Sequence, residues 1–264
     1  MIKPSTLIEV VSAACDTKYV NGPFPQRGAL FLDAPSGHFK NTIINAATEG
    51  RTDGFKQSKL NGRQWNDIKG DYVGKVRTWI ALPEFENLYR GAKATAQHIE
   101  AILQDVIEDG YTHGPGQDPT IPRMPARALL IAGITPKLLE GHWREWEEGF
   151  QRRTLWCHFR LNNPEEITKA IRRWKKIDLG AVTTRPAINE ISMDLTEDES
   201  KFLEPMISEQ PGRNGTAYVL LKKICAVLKW RYKRTQDPQQ WKRIIREFGE
   251  CLSARGAEVI LDKE

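Results

Sequence analysis

Four short runs, at residues 29–32, 76–82, 126–134 and 154–159, are apolar almost without interruption. A strand with one wet face alternates apolar and polar residues, whereas one that does not alternate must be covered on both sides. Between these runs the period changes. Ile99, Ile102, Leu103, Val106 and Ile107 recur at helical spacing and predict a helix over about 95–109. Helices are also expected at about 4–15 and 40–48. Another begins at Asn163-Pro164-Glu165-Glu166, where Asn caps, Pro fits the first turn and the acids meet the positive end of the helix dipole. Doubly apolar strands alternating with helices fold as a parallel sheet between two helical layers, so the fold class is α/β.

The first run leads into the most informative segment, residues 28–47. An apolar strand is followed by a turn through Pro35, Ser36 and Gly37, then by Lys40 at the head of a helix-like stretch. Strand, turn, lysine and helix form the layout of a phosphate-binding P-loop, in which backbone N–H groups and the helix N-terminus hold the phosphates. The spacing fits G-x-x-x-x-G-K-[ST], with Lys40 in register and Gly37 inside the loop. Ala34 and Phe39 stand where the outer glycines belong, and Asn41 replaces the hydroxyl that binds magnesium. Candidate nucleotide contacts are Ala34, Pro35, Ser36, Gly37, His38, Phe39, Lys40, Asn41 and Thr42. Asn41, through its amide oxygen, and Thr42, one position late, are the candidate Mg2+ contacts. The plainer reading is a turn followed by a solvated lysine.

The remaining composition excludes several classes. No apolar run approaches the roughly 18 residues of a membrane span, and Met1-Ile2-Lys3-Pro4-Ser5 lacks the build of a signal peptide. Cysteines 15, 157, 225 and 251 are scattered, with no C-x-x-C pair, so neither a disulfide framework nor a zinc site is suggested. A reduced, cytoplasmic protein is the expectation. No G-x-S-x-G elbow or H-E-x-x-H motif offers a competing chemistry.

The net charge of +5 is modest but unevenly spread. Residues 213–246 carry basic side chains with Asp237 as the acidic exception, and a second basic stretch runs from Arg152 to Lys176. Fields of this kind suit phosphate backbones, so nucleic acid, DNA foremost, is the expected partner. The candidate contacts are Lys229, Arg231, Lys233, Arg234, Lys242 and Arg243, with Trp230-Arg231-Tyr232-Lys233-Arg234 interleaving aromatics and cations. A solvated helix face balanced by acids elsewhere is the alternative.

The order of motifs along the chain resembles the AAA+ branch of P-loop NTPases over residues 25–180. A lysine loop is followed by a strand ending at Glu84, a strand ending at Thr135, and the segment Gly149-Phe150-Gln151-Arg152-Arg153-Thr154. The resemblance implies ATP and Mg2+ as cofactors, Glu84 as the water-activating carboxylate and Thr135 as the γ-phosphate sensor. It also implies Arg152 or Arg153 as a finger reaching a neighbouring subunit, and hence a homo-oligomer. Pro83 departs from it, because an aspartate that orders the magnesium shell belongs there. With Asn41 and Phe39 also altered, hydrolysis should suffer more than binding.

Beyond about residue 186 the pattern is helical. Thr196 and Glu199 form a capping box, apolar residues at helical spacing cover 216–234 and 239–254, and a strand-like tail ends at 259–261. The expected division is an AAA+-like nucleotide-binding domain, 1–188, and a helical domain, 189–264, for which a winged-helix-like arrangement is one option. The functional expectation is an oligomeric ATPase acting on nucleic acid in helicase loading, replication or packaging of a phage or other mobile element. Two rivals remain open: a non-hydrolysing, nucleotide-gated scaffold with a worn loop, and a nucleic-acid-binding protein using the 213–246 helices.

Overall fold

The apolar runs pair into one parallel sheet. The computed structural model describes residues 2–22, 27–58, 78–108, 127–178, 190–208, 210, 215–233 and 235–252. In chain order the elements are α1 (Pro4–Cys15), β1 (Val20–Asn21), β2 (Ala29–Asp33), α2 (Lys40–Thr48), β3 (Gly54–Lys56), β4 (Trp79–Leu82) and α3 (Lys93–Ile107). They continue with β5 (Leu129–Ile134), α4 (Pro136–His142), β6 (Thr154–His158), α5 (Pro164–Asp178), β7 (Ile191–Ser192), α6 (Glu197–Ile207), α7 (Thr216–Tyr232) and α8 (Gln240–Leu252). The expected loop around Gly114, the boundary at 186–189, Arg234 and the tail 259–261 lie outside the described residues.

The main sheet runs β3-β4-β5-β2-β6 with every pair parallel. From β2 the chain crosses to the far edge, returns strand by strand to β5 beside β2, and then passes to β6 on the other side. Strand β2 therefore sits where the strand order reverses. In open α/β sheets the crevice outside the carboxyl ends at such a point is where ligands bind.

Alternation along each strand explains why the runs are apolar throughout. Leu30, Leu32, Ile131, Leu155 and Cys157 face a layer built from α1, α2 and the C-terminal helices. Phe31, Leu130, Ala132 and Trp156 face α3 and the aromatic side chains of Phe85, Trp146 and Phe150. Phe31 is central to that second layer, with ring centroids 4.9 Å from Trp156 and 5.1 Å from Phe85. Helix α1 is buried along its length apart from Ser5, with its polar Thr6, Glu9 and Ser12 bonded to Glu247, Tyr232 and Arg231. Leu220 and Ile224 of α7 and Ile245 and Phe248 of α8 join α1 and the sheet in one buried cluster.

The helix starts behave as their caps dictate. Asn163 Oδ1 accepts from the N–H groups of Glu165 (3.0 Å) and Glu166 (3.3 Å), and both halves of the Thr196–Glu199 capping box are formed. Three short pieces carry too little pattern to be read from sequence. They are the 3₁₀ turn Phe85–Arg90, the π-helical turn Glu147–Gln151 and the two-residue ladder between β1 and β7. Among the described residues no helix is long and apolar enough to cross a membrane.

Candidate functional site

The loop after β2 is anchored by both neighbouring strands. Ala34 N–H donates to Ile134 O of β5 (3.2 Å), and Phe159 N–H, just beyond β6, donates to Asp33 O (3.0 Å). Beneath it, His158 Nδ1 lies 2.6 Å from Asp33 Oδ2. Gly37 takes a left-handed φ of 82°, and Phe39, the N-cap of α2, takes φ 62° and ψ 19°. Phe39 is the one non-glycine residue with positive φ among the described residues. The backbone thus keeps at position 39 a conformation suited to glycine, at a cost of about 1–2 kcal/mol. The ring of Phe39 packs against the buried cluster of α1 and the sheet, which offsets that strain.

Lys40 opens α2 and is 8% exposed. Its Nζ donates to the carbonyls of Pro35 (3.1 Å) and Ala34. Burial holds its pKa below the ordinary lysine value, with the charges of Glu86 and Asp33 opposing the shift. The N–H groups of Lys40, Asn41 and Thr42 belong to the first turn, which helix geometry leaves without intrahelical acceptors. His38 Nδ1 accepts from Leu161 N–H (3.0 Å). That bond places the proton of the neutral ring on Nε2.

Glu84 follows β4 and caps the 3₁₀ turn. Asn41 Nδ2 donates to its Oε1 (2.9 Å), and Asn87 Nδ2 donates to its Oε2 (2.7 Å) and to Ser58 O (2.8 Å). In a 3₁₀ turn residues three apart eclipse, so Glu84, Asn87 and Arg90 stack on one side. Gly133 of β5 makes this arrangement possible. A Cβ there would sit 2.2 Å from Pro83 O and 3.5 Å from Lys40 Cβ, so only a residue without one lets the end of β4 lie this close to the loop.

These pieces enclose a cleft of about 580 Å³ at the carboxyl ends of β2, β4 and β5. Its walls are residues 36–42 of the loop and α2, then Pro83, Glu84, Glu86, Asn87, Arg90 and Thr135. Thr135 ends β5 as N-cap of α4, yet its side chain makes no capping bond. The donor set suits a hard cation, which takes oxygen ligands. Asn41 presents its Nδ2 to Glu84, which leaves Oδ1, and Thr42 adds a hydroxyl. Among the described residues Glu86 Oε1 is buried without a hydrogen-bond partner.

The sequence candidates therefore divide. Residues 36–42, Glu84 and Thr135 converge on the cleft, and Ala34 and Pro35 hold Lys40 behind it. Arg152 and Arg153 precede β6 and lie at the opposite end of the sheet. Arg153 is paired with Glu108 and donates to Gly149 O (3.0 Å), whereas Arg152 is exposed. Among the C-terminal cations, the Arg231 side chain is 7% exposed and bound to Asp16 (2.5 Å) and Ser12 Oγ (3.0 Å). Lys229 pairs with Glu199 (2.8 Å) and Arg243 with Asp237 (2.6 Å). Lys242 lies over the ring of Trp241, and Lys233 is exposed. Sequence reading passed over Glu86, Asn87 and Arg90. The three-residue spacing of Glu84, Asn87 and Arg90 was the available signal.

No protein-family model matches this chain, and no curated protein does. Among solved structures it is similar to a chain described as "SCCmec type IV Cch - active helicase", with 12% sequence identity and a TM-score of 0.36. The match covers 97% of this chain and 47% of that one, so the present chain spans about half the length of its neighbour.

Proposed function

We propose that the cleft binds the phosphates of ATP and that the chain is an AAA+-like ATPase acting on nucleic acid. The observation that carries this reading is the loop backbone. A bulky Phe39 is held left-handed at the strand-order reversal, directly before a buried lysine whose Nζ donates to loop carbonyls. Strained backbone of this kind clusters at active sites and ligand clamps. Phosphate oxygens would replace the carbonyls of Ala34 and Pro35 as acceptors for Lys40, and the first-turn N–H groups of α2 would complete the cradle.

In this reading Glu84 orients and activates the attacking water, and the hydroxyl of Thr135 meets the γ-phosphate. Exposed Arg152 can act only in the cleft of a neighbouring copy, which makes the working form a homo-oligomer. The exposed cations Lys169 and Arg172 on α5 and Lys233 after α7, with half-buried Lys242, supply charge for nucleic-acid phosphates. A second reading is favoured by one specific observation: Asn41 and Asn87 tie both oxygens of Glu84, as expected of a scaffold that binds ATP without turning it over.

Thermal melting with ATP, with ADP and without nucleotide, followed by phosphate release, separates these. At a ligand concentration a hundred times Kd, binding adds about 2.7 kcal/mol of stability. A raised Tm with phosphate release supports the ATPase. A raised Tm without release selects the scaffold, and an unchanged Tm removes nucleotide from the account.

A further inference from the structure

Resting on the nucleotide reading above, we propose that Glu86 is the metal-side carboxylate of the cleft, taking the place that Pro83 leaves without one. Pro83 ends the strand with no side-chain oxygen, and Glu84 is already held at both oxygens by amide donors. Glu86 comes from the same 3₁₀ turn and lines the same cleft as Lys40, Asn41 and Thr42. Its Oε1 is buried with no hydrogen-bond partner among the described residues, an expensive place for an acceptor left unsatisfied.

Lys40 feels the charge of Glu86 more strongly than that of Asp33, yet the Lys40 ammonium donates to the loop carbonyls of Ala34 and Pro35. Glu86 therefore contributes charge to the cleft without a bonded partner for Oε1. A divalent cation entering with the β- and γ-phosphates would satisfy the carboxylate once its side-chain torsions turn Oε1 from its buried position toward the cleft that Glu86 lines. Asn41 Oδ1 and Thr42 Oγ1 are neutral oxygens on residues that line the same cleft. The competing role is simpler: Glu86 as counter-ion to Lys40, with no part in holding a metal.

The two roles give opposite signatures in Glu86→Gln. Affinity for ATP is measured by calorimetry with magnesium and with EDTA, on wild type and variant. As a metal ligand, Glu86 should account for most of the gain that magnesium brings, so the variant loses at least about tenfold of that gain. In EDTA its affinity should be unchanged or tighter, because a negative charge beside the phosphates is gone. Manganese bound in the presence of ATP, read by electron paramagnetic resonance, should weaken in parallel.

Equal changes with and without metal would overturn the proposal in favour of the counter-ion. Wild-type affinity indifferent to magnesium would overturn it while leaving the nucleotide reading intact. Failure of wild type to bind ATP at all would remove that reading, and this proposal with it. Glu86→Asp, which keeps the charge and shortens its reach, supplies the same comparison if the glutamine variant does not fold.

Discussion

Phe39 carries two opposing contributions, a left-handed backbone and a ring packed on the core. They can be separated by substitution. Phe39→Ala loses the ring and keeps the strain, whereas Phe39→Gly loses the ring and releases it. The glycine variant should therefore be the more stable of the two by about 1 kcal/mol, the reverse of the usual order. Urea denaturation of both variants measures this, and an alanine variant at least as stable would show that position 39 is unstrained. At Lys40 the expected outcome is different. Lys40→Met removes a cation that burial already disfavours, so the fold should persist while the ATP-induced rise in Tm disappears. The register of Lys40 was legible from local spacing. The direction of the Phe39 ring was not, because it depends on α1 and the sheet.

Among the elements, the short turn after β4 does the most to shape the cleft. It places Glu84, Glu86, Asn87 and Arg90 there, and Gly133 of β5 lets it approach. Gly133→Ala would drive a methyl group into Pro83 O. It should cost about 1–3 kcal/mol and weaken ATP binding together with stability. Calorimetry and chemical denaturation on the same variant check both halves, and full stability with full affinity would show that β4 can shift freely. Asn87→Ala tests the turn more gently. It removes one donor from Glu84 and the link to Ser58 O. ATP affinity should hold and phosphate release should change, because Glu84 is placed in the chemical step alone. The strands were readable as apolar runs because burial on both faces leaves its mark on every residue. The turn was not, since six residues between a strand and a loop carry too little periodicity.

Across the whole molecule, an ion network ties the ends of the chain together. Arg51 bridges Asp16 and Asp53, Lys18 pairs with Asp53 at 3.0 Å, and Arg231 closes on Asp16, with all five side chains at most 12% exposed. Burial alone would raise both carboxyl pKa values. Instead Arg231 and Arg51 hold Asp16 below the ordinary range, and Arg51 and Lys18 do the same for Asp53. The unfolded chain therefore takes up protons first. This stabilisation is complete above an ordinary aspartate pKa of about 3.9 and is lost as pH falls below it. The urea midpoint should drop steeply in that window. Arg231→Met should flatten the drop and cost roughly 3 kcal/mol at neutral pH, while leaving nucleic-acid affinity unchanged. A loss of affinity with stability intact would instead return Arg231 to the binding surface. From the sequence by itself came the longer strands and helices and the lysine loop, because strand burial, helix period, capping and loop spacing are all written in near neighbours. Which cations face solvent, which carboxylates meet in the cleft, and how Phe39 is tolerated were decided only in three dimensions. The partners are far apart in the chain: Arg231 lies 215 residues from Asp16, and Asn41 lies 43 from Glu84. A residue's local pattern does not encode the partner that folding will bring to it.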